Sequence, residues 1–261
     1  DVELDSSLVM TRSRSDFSSL DGVKEVELRP KTIRNYNNIV TDFMSSSIAK
    51  TLYMVTTRAS ADFEWPFDDP ELPKQWHYYN DGSANASISG ADINVFPAWK
   101  YYTTGRPDVI VSVVDGGIDF EHEDLIGNMW HNPDKTGNQK YGYNFVNNGY
   151  TITPENHGTH VAGTIAAVNN NGKGVSGIAG GDAKKGLPGV KLMSCQIFQD
   201  GDSGGRGAAA IKWGADHGAV ISQNSWGYPK GVTTPSSDKA AIDYFNQYAG
   251  LDKDGNQVGP M

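Results

Sequence analysis

Cysteine is nearly absent from this 261-residue sequence: Cys195 stands alone, which excludes an intrachain disulfide framework and any cysteine-rich metal site. It lies in the apolar run Val190-Lys-Leu-Met-Ser-Cys-Gln-Ile-Phe198, where a buried, inert thiol is expected rather than a nucleophile. Clusters of lysine and arginine are missing too. With a formal charge of −9 and no basic stripe to neutralise phosphates, a nucleic-acid partner is not expected. No run approaches the roughly 18 uninterrupted apolar residues of a membrane-spanning helix, and the first residues are acidic and polar, unlike a signal peptide. An opening Asp1-Val-Glu without an initiator Met is what a processed or an engineered start is expected to give. Internal repeats and low-complexity tracts are also lacking.

What is present divides in two. Residues 1 to about 65 are Ser-rich, charged and weakly periodic, with Val23-Lys-Glu-Val-Glu-Leu28 and Thr51-Leu-Tyr-Met-Val-Thr56 alternating well enough for short strands. Phe63-Glu-Trp-Pro-Phe-Asp-Asp-Pro70 reads as a linker, placing a smaller N-terminal region over 1–65 and a second region over 66–261. From Asp108 onward buried strands alternate with amphipathic helices, the pattern of an α/β protein with a doubly wound, mostly parallel sheet. The expected order is a strand over Asp108–Asp115, a helix over His157–Val168, a strand over Val190–Phe198, a helix over Arg206–His217, a strand over Ala219–Asn224, and a helix over Ser237–Tyr248 capped by Ser236 or Ser237.

An acid at the carboxyl end of a buried parallel strand sits where open α/β sheets place function, and Asp115 has that position ahead of Gly116-Gly117. Taken alone it is equally a turn aspartate. His157 opens a helix as His-Gly-Thr-His-Val-Ala-Gly-Thr, with small residues that let the helix approach neighbouring backbone. His160 shares its face. The two histidines with Glu155 and Asp119 could be imagined around zinc, but their spacing of three is not that of helical zinc proteases and leaves the aspartate strand unexplained. No strand is followed by the Gly-x-Gly-x-x-Gly turn of a dinucleotide-binding fold.

Val113-Val-Asp-Gly-Gly-Ile-Asp119 and His157-Gly-Thr-His-Val-Ala-Gly163 resemble the aspartate and histidine motifs of the subtilisin-like serine proteases, the subtilases. The resemblance runs in order through most of residues 71–250. Asp69-Pro-Glu-Leu-Pro-Lys-Gln-Trp76 is similar to the family's mature amino terminus, Glu121-His-Glu-Asp-Leu125 to the segment after the aspartate strand, and Asn224-Ser-Trp-Gly227 to the substrate-groove strand. It implies an incomplete subtilisin-type sheet and a Ser-His-Asp endopeptidase in which Asp115 orients the base His157. The interval from 115 to 157 is 42 residues, longer than in compact members, and Trp130–Tyr150 has the look of an added loop.

The family's Gly-Thr-Ser-Met-Ala nucleophile motif and its oxyanion Ala-Gly-Asn segment are not found. None of Ser176, Ser194, Ser203, Ser222 and Ser225 has a helix start that would aim it at the base. The serine is therefore expected from the remainder of the catalytic domain after Met261, and the 261 residues alone are expected to be nearly inert; the alternative is a peptide-binding pseudoprotease or an inactive fragment. The resemblance further implies a groove for a peptide or protein substrate, formed by Ser203-Gly204-Gly205 and Ser225-Trp226-Gly227, with Trp226 lining a pocket wall or else buried in the core. It implies a structural calcium site at Asp124, Asn170 and Asn171, for which a plain glycine-rich loop is the other reading and Lys173 an unwelcome charge. No organic cofactor is implied. A secreted or cell-envelope location and a zymogen form follow from the same family, the latter because Phe17–Leu28 is similar to the last strand of a prosegment.

Overall fold

The computed structural model describes residues 64–83, 87–199 and 206–251, together with the backbone of two short strands near the amino terminus. The chain separates into two compact units, Asp1–Glu64 and Trp65–Met261. In the first, β1 (Val2–Asp5) pairs in parallel with β2 (Val26–Arg29). Only the end of the strand expected over Val23–Leu28 is therefore described, and the one expected over Thr51–Thr56 lies outside the described residues.

The second unit opens with an aromatic cluster. Phe67, Leu72, Tyr78, Val95 and Trp99 are buried together, with Trp65 and Phe96 packed against them. Trp99 belongs to α1 (Phe96–Tyr101), which has proline in its first turn, where a missing N–H leaves no intrahelical bond unmade. The expected linker over 63–70 is thus corrected: Phe67 is core, because burying one aromatic ring outweighs the polarity of its flanking aspartates. The segment is tied to the rest of the unit by Trp99 Nε1 donating to the Ile178 carbonyl at 2.7 Å and by Gln75, whose Nε2 donates to the Ser176 carbonyl at 2.9 Å.

Four parallel strands form the main sheet. These are β3 (Ile110–Gly116), β4 (Gly142–Asn144), β7 (Lys191–Phe198) and β8 (Ile221–Gln223), in the order β4-β7-β3-β8. A small antiparallel pair, β5 (Gly181–Asp182) and β6 (Leu187–Pro188), lies between them in sequence. Strands β3 and β7 are buried on both faces because helices cover both faces. On one side α2 (Asn156–Ala166) buries Ala162 and Ala166 against Val111, Val113 and Leu192. On the other, α3 (Gly207–Asp216) and α4 (Ser236–Tyr248) bury Ala210, Ile211 and Ala241 against Val114, Met193, Cys195 and Ile197.

Trp130–Tyr150 is not wholly loop, since it contributes edge strand β4. The last strand shortens to Ile221–Gln223. Neither serine caps α4: Pro235 stands at its N-cap and Ser236 is already helical, its fixed φ supplying the entry geometry in place of a hydroxyl.

Candidate active site

Asp115 is the penultimate residue of β3 and is 1% exposed. Past it the register against β7 shifts, between Asp115 and Gly116, so the chain turns out of the sheet towards the amino end of α2. Two glycines permit this. A Cβ on Gly117 would lie 2.0 Å from the carbonyl oxygen of Thr153, and one on Gly158 would lie 2.0 Å from the carbonyl oxygen of Gly116. The aspartate turn and the histidine helix therefore meet backbone to backbone. Glu155 N donates to the Gly117 carbonyl at 2.8 Å and Asp119 N to Thr159 Oγ1 at 2.9 Å, stitching the two together.

The stitching delivers His157 to Asp115. Nδ1 lies 2.7 Å from Oδ1, which also accepts from Gly116 N at 2.6 Å. A carboxylate can only accept, so Nδ1 carries the proton and Nε2 of a neutral ring keeps its lone pair. The Asp115 carboxylate is sealed from solvent while the His157 side chain is 65% exposed; the acid is fixed and the base faces outward. Among the described residues Asp115 is the hydrogen-bond partner of His157, and Oδ2 of Asp115 is buried without one.

The other predicted residues distribute as follows. Ser203, Gly204 and Gly205 lie outside the described residues. Ser225 and Gly227 are exposed along the segment after β8, whereas Trp226 is half-buried. Its indole packs onto the start of α3, where a Cβ on Gly207 would come within 2.4 Å of Cη2. Tyr228 anchors the same segment, donating its hydroxyl to the buried Asp238 at 2.5 Å. Asp124 and Asn171 come together, with Asn171 Nδ2 donating to Oδ1 at 2.8 Å and Val175 N donating to Oδ2 at 2.9 Å. Asn170 does not join them: its amide nitrogen donates to Asp182 and its oxygen accepts from Asp68 N.

Asp69, which the sequence reading passed over, completes that loop. It is 2% exposed and accepts from Asn170 N, Asn171 N and Ser176 Oγ. Burial pushes both Asp69 and Asp124 above the usual carboxylate range, and the charge of Asp69 adds to the rise at Asp124. Lys173 turns away to Glu123 at 2.8 Å. No group of three or more His, Cys, Asp or Glu side chains able to hold a metal occurs among the described residues. Nor does any helix among them have the length and apolarity to cross a membrane.

Residues 106–255 match the family model described as the subtilase family. The chain belongs to that family. It is 36% identical over 154 residues to the halolysin-like extracellular serine protease Nep of Natrialba magadii, covering 57% of this chain and 26% of that protein. Over 208 residues it is 31% identical to kexin of Saccharomyces cerevisiae, covering 71% of this chain and 23% of kexin. The chain thus spans about a quarter of the length of these relatives. A solved serine protease of Aeromonas sobria superposes with a TM-score of 0.56 at 25% identity, covering 74% of this chain and 32% of that one, in keeping with a subtilisin-type α/β sheet.

Proposed function

We propose that this subtilase serves as the Asp- and His-bearing part of a serine endopeptidase. The observation that carries the reading is the 2.7 Å contact between buried Asp115 and exposed His157. In the cleavage cycle Asp115 holds the imidazole in the tautomer with a free Nε2. That nitrogen takes the proton of a serine hydroxyl as it attacks the peptide carbonyl, then returns it to the departing amine. Asp115 stabilises the intervening imidazolium and does not itself take the proton. The serine comes from outside the described residues, as do the donors that hold the oxyanion. A peptide lies extended along Ser225–Gly227, recognised through backbone hydrogen bonds, with Ser203–Gly205 as the opposite wall.

Labelling of the full-length protein by a fluorophosphonate probe tests this reading. The expected outcome is one labelled serine, lost in His157→Ala. An unlabelled full-length protein that still binds peptide would instead support the pseudoprotease reading.

The loop around Asp124 fits a hard divalent cation in part. Asp69 and Asp124 are buried carboxylates without an ion-pair partner among the described residues, the hard oxygen donors that calcium takes, whereas Asn171 turns its amide nitrogen to Asp124 and Asn170 is committed elsewhere. Calcium there would tie the Trp65–Tyr102 segment to the loop after α2 and supply stability rather than chemistry. Secretion or attachment to the cell envelope, and a zymogen stage involving Phe17–Leu28, belong to the same proposal, supported by the naming of a relative as extracellular.

A further inference from the structure

We infer that Gln196 is a positioning residue that sets the distance between Asp115 and His157; the inference rests on the protease reading for its purpose but not for its geometry. Gln196 is directly opposite Asp115 in the β3–β7 register and its side chain is fully buried, at 0% exposure. An amide in the middle of an apolar strand must be satisfied internally, and this one is. Its Oε1 accepts from Thr153 N at 2.9 Å and its Nε2 donates to the Phe198 carbonyl at 3.0 Å.

These partners lie at the junction that decides where His157 stands. Thr153 is the fourth residue before His157, in the stretch that bridges in parallel from Pro154 to Gly117 and leads into α2. The amide oxygen lies 2.8 Å from where a Cβ on Gly117 would be, so the Gln196 side chain fills the corner between the aspartate turn and the approach to the histidine helix. Ser194, two residues earlier on the same face of β7 and also 0% exposed, accepts from Ile118 N at 3.2 Å. One strand thus holds both sides: Ser194 grips the turn after Asp115, and Gln196 grips the segment before His157. Neither touches the reacting atoms.

The role separates from mere core stability through the Nδ1 proton of His157, which proton NMR of the 261-residue chain can follow without any catalytic turnover. In the unsubstituted chain this proton is expected as a downfield, slowly exchanging resonance, because Asp115 accepts it in a sealed site. Gln196→Met keeps the volume and removes the acceptor of Thr153 N; the expected result is exchange faster by about tenfold or more, with an upfield shift. Ser112→Ala removes another buried hydroxyl of the same sheet, one that donates to the Ile221 carbonyl, and is expected to lower the melting temperature while leaving the resonance in place.

A Gln196→Met chain that melts earlier but keeps the resonance unchanged overturns the inference and leaves the protease reading intact. An unsubstituted chain without the resonance overturns the Asp115–His157 pair itself. Should Gln196→Met fail to fold, native-state exchange of the unsubstituted chain decides: the Thr153 amide and the His157 Nδ1 proton are expected to open together across a denaturant series. Independent opening sinks the idea.

Discussion

Gly158 rests on Gly116 with no room for a methyl group: a Cβ on the first would stand 2.0 Å from the carbonyl oxygen of the second. The residue after the histidine and the residue after the aspartate therefore touch through backbone alone, and the 2.7 Å hydrogen bond between their neighbours follows from that approach. Replacing Gly158 by Ala is expected to destabilise the chain by about 3 kcal/mol or more, since backbone must move. Gly163, on the same helix, meets nothing within 4 Å, and Gly163→Ala is expected to stabilise by roughly 0.5–1 kcal/mol through helix propensity. Urea unfolding midpoints of the two variants compare the effects directly.

Asp115→Asn probes the tautomer. An amide can turn its NH2 group to Nδ1, which moves the imidazole proton to Nε2 and removes the base. In the full-length protein the expected loss in kcat for peptide hydrolysis is about 10⁴-fold with little change in KM. A loss carried by KM alone would argue that Asp115 shapes the groove rather than the base.

Calcium is read by stability. The melting temperature of the chain is expected to rise on adding calcium and to fall with chelator, by the equivalent of about 2.7 kcal/mol at a hundredfold excess over Kd. Asp69→Asn and Asp124→Asn should each remove the increment, whereas Asn170→Ala should keep it because its amide faces Asp68 and Asp182. A melting temperature indifferent to both calcium and chelator rejects the site.

His77 is expected to make the fold acid-sensitive. Its burial, reinforced by the facing charge of His160, holds it below the ordinary 6.5. The unfolded chain then binds the proton more readily, so stability is complete above about pH 6.5 and declines as pH drops towards the depressed native value. His77→Phe is expected to flatten that decline between about pH 7 and 5, as followed by urea midpoints; an unchanged slope assigns the sensitivity to another group.

Strands β3 and β7 and helices α2, α3 and α4 were legible because parallel strands covered on both faces read as largely apolar runs and their helices as periodic stripes. The Asp115–His157 pair was legible for a related reason, since strand end and helix start are both marked by glycine. What escaped was whatever depends on long-range contact. Phe67 and Asp69 sit among prolines and acids that read as linker, yet one enters an aromatic cluster and the other meets a loop about 100 residues away. Strand β4 has three residues, too few for a period to show. Gln196 left a trace, a lone amide in an apolar run, but only the structure names its partners.

Cys195 lies one residue from that amide on the opposite face of β7, with 0% exposure and a thiol pushed well above its usual range by burial. Its strand is interior to the sheet, flanked by β3 and β4. A thiol reagent can therefore reach it only when the centre of the sheet opens, and the chain carries no second cysteine to confuse the signal. The molecule comes with its own clock, in which the rate of labelling at one sulfur times the breathing of the scaffold beneath the base.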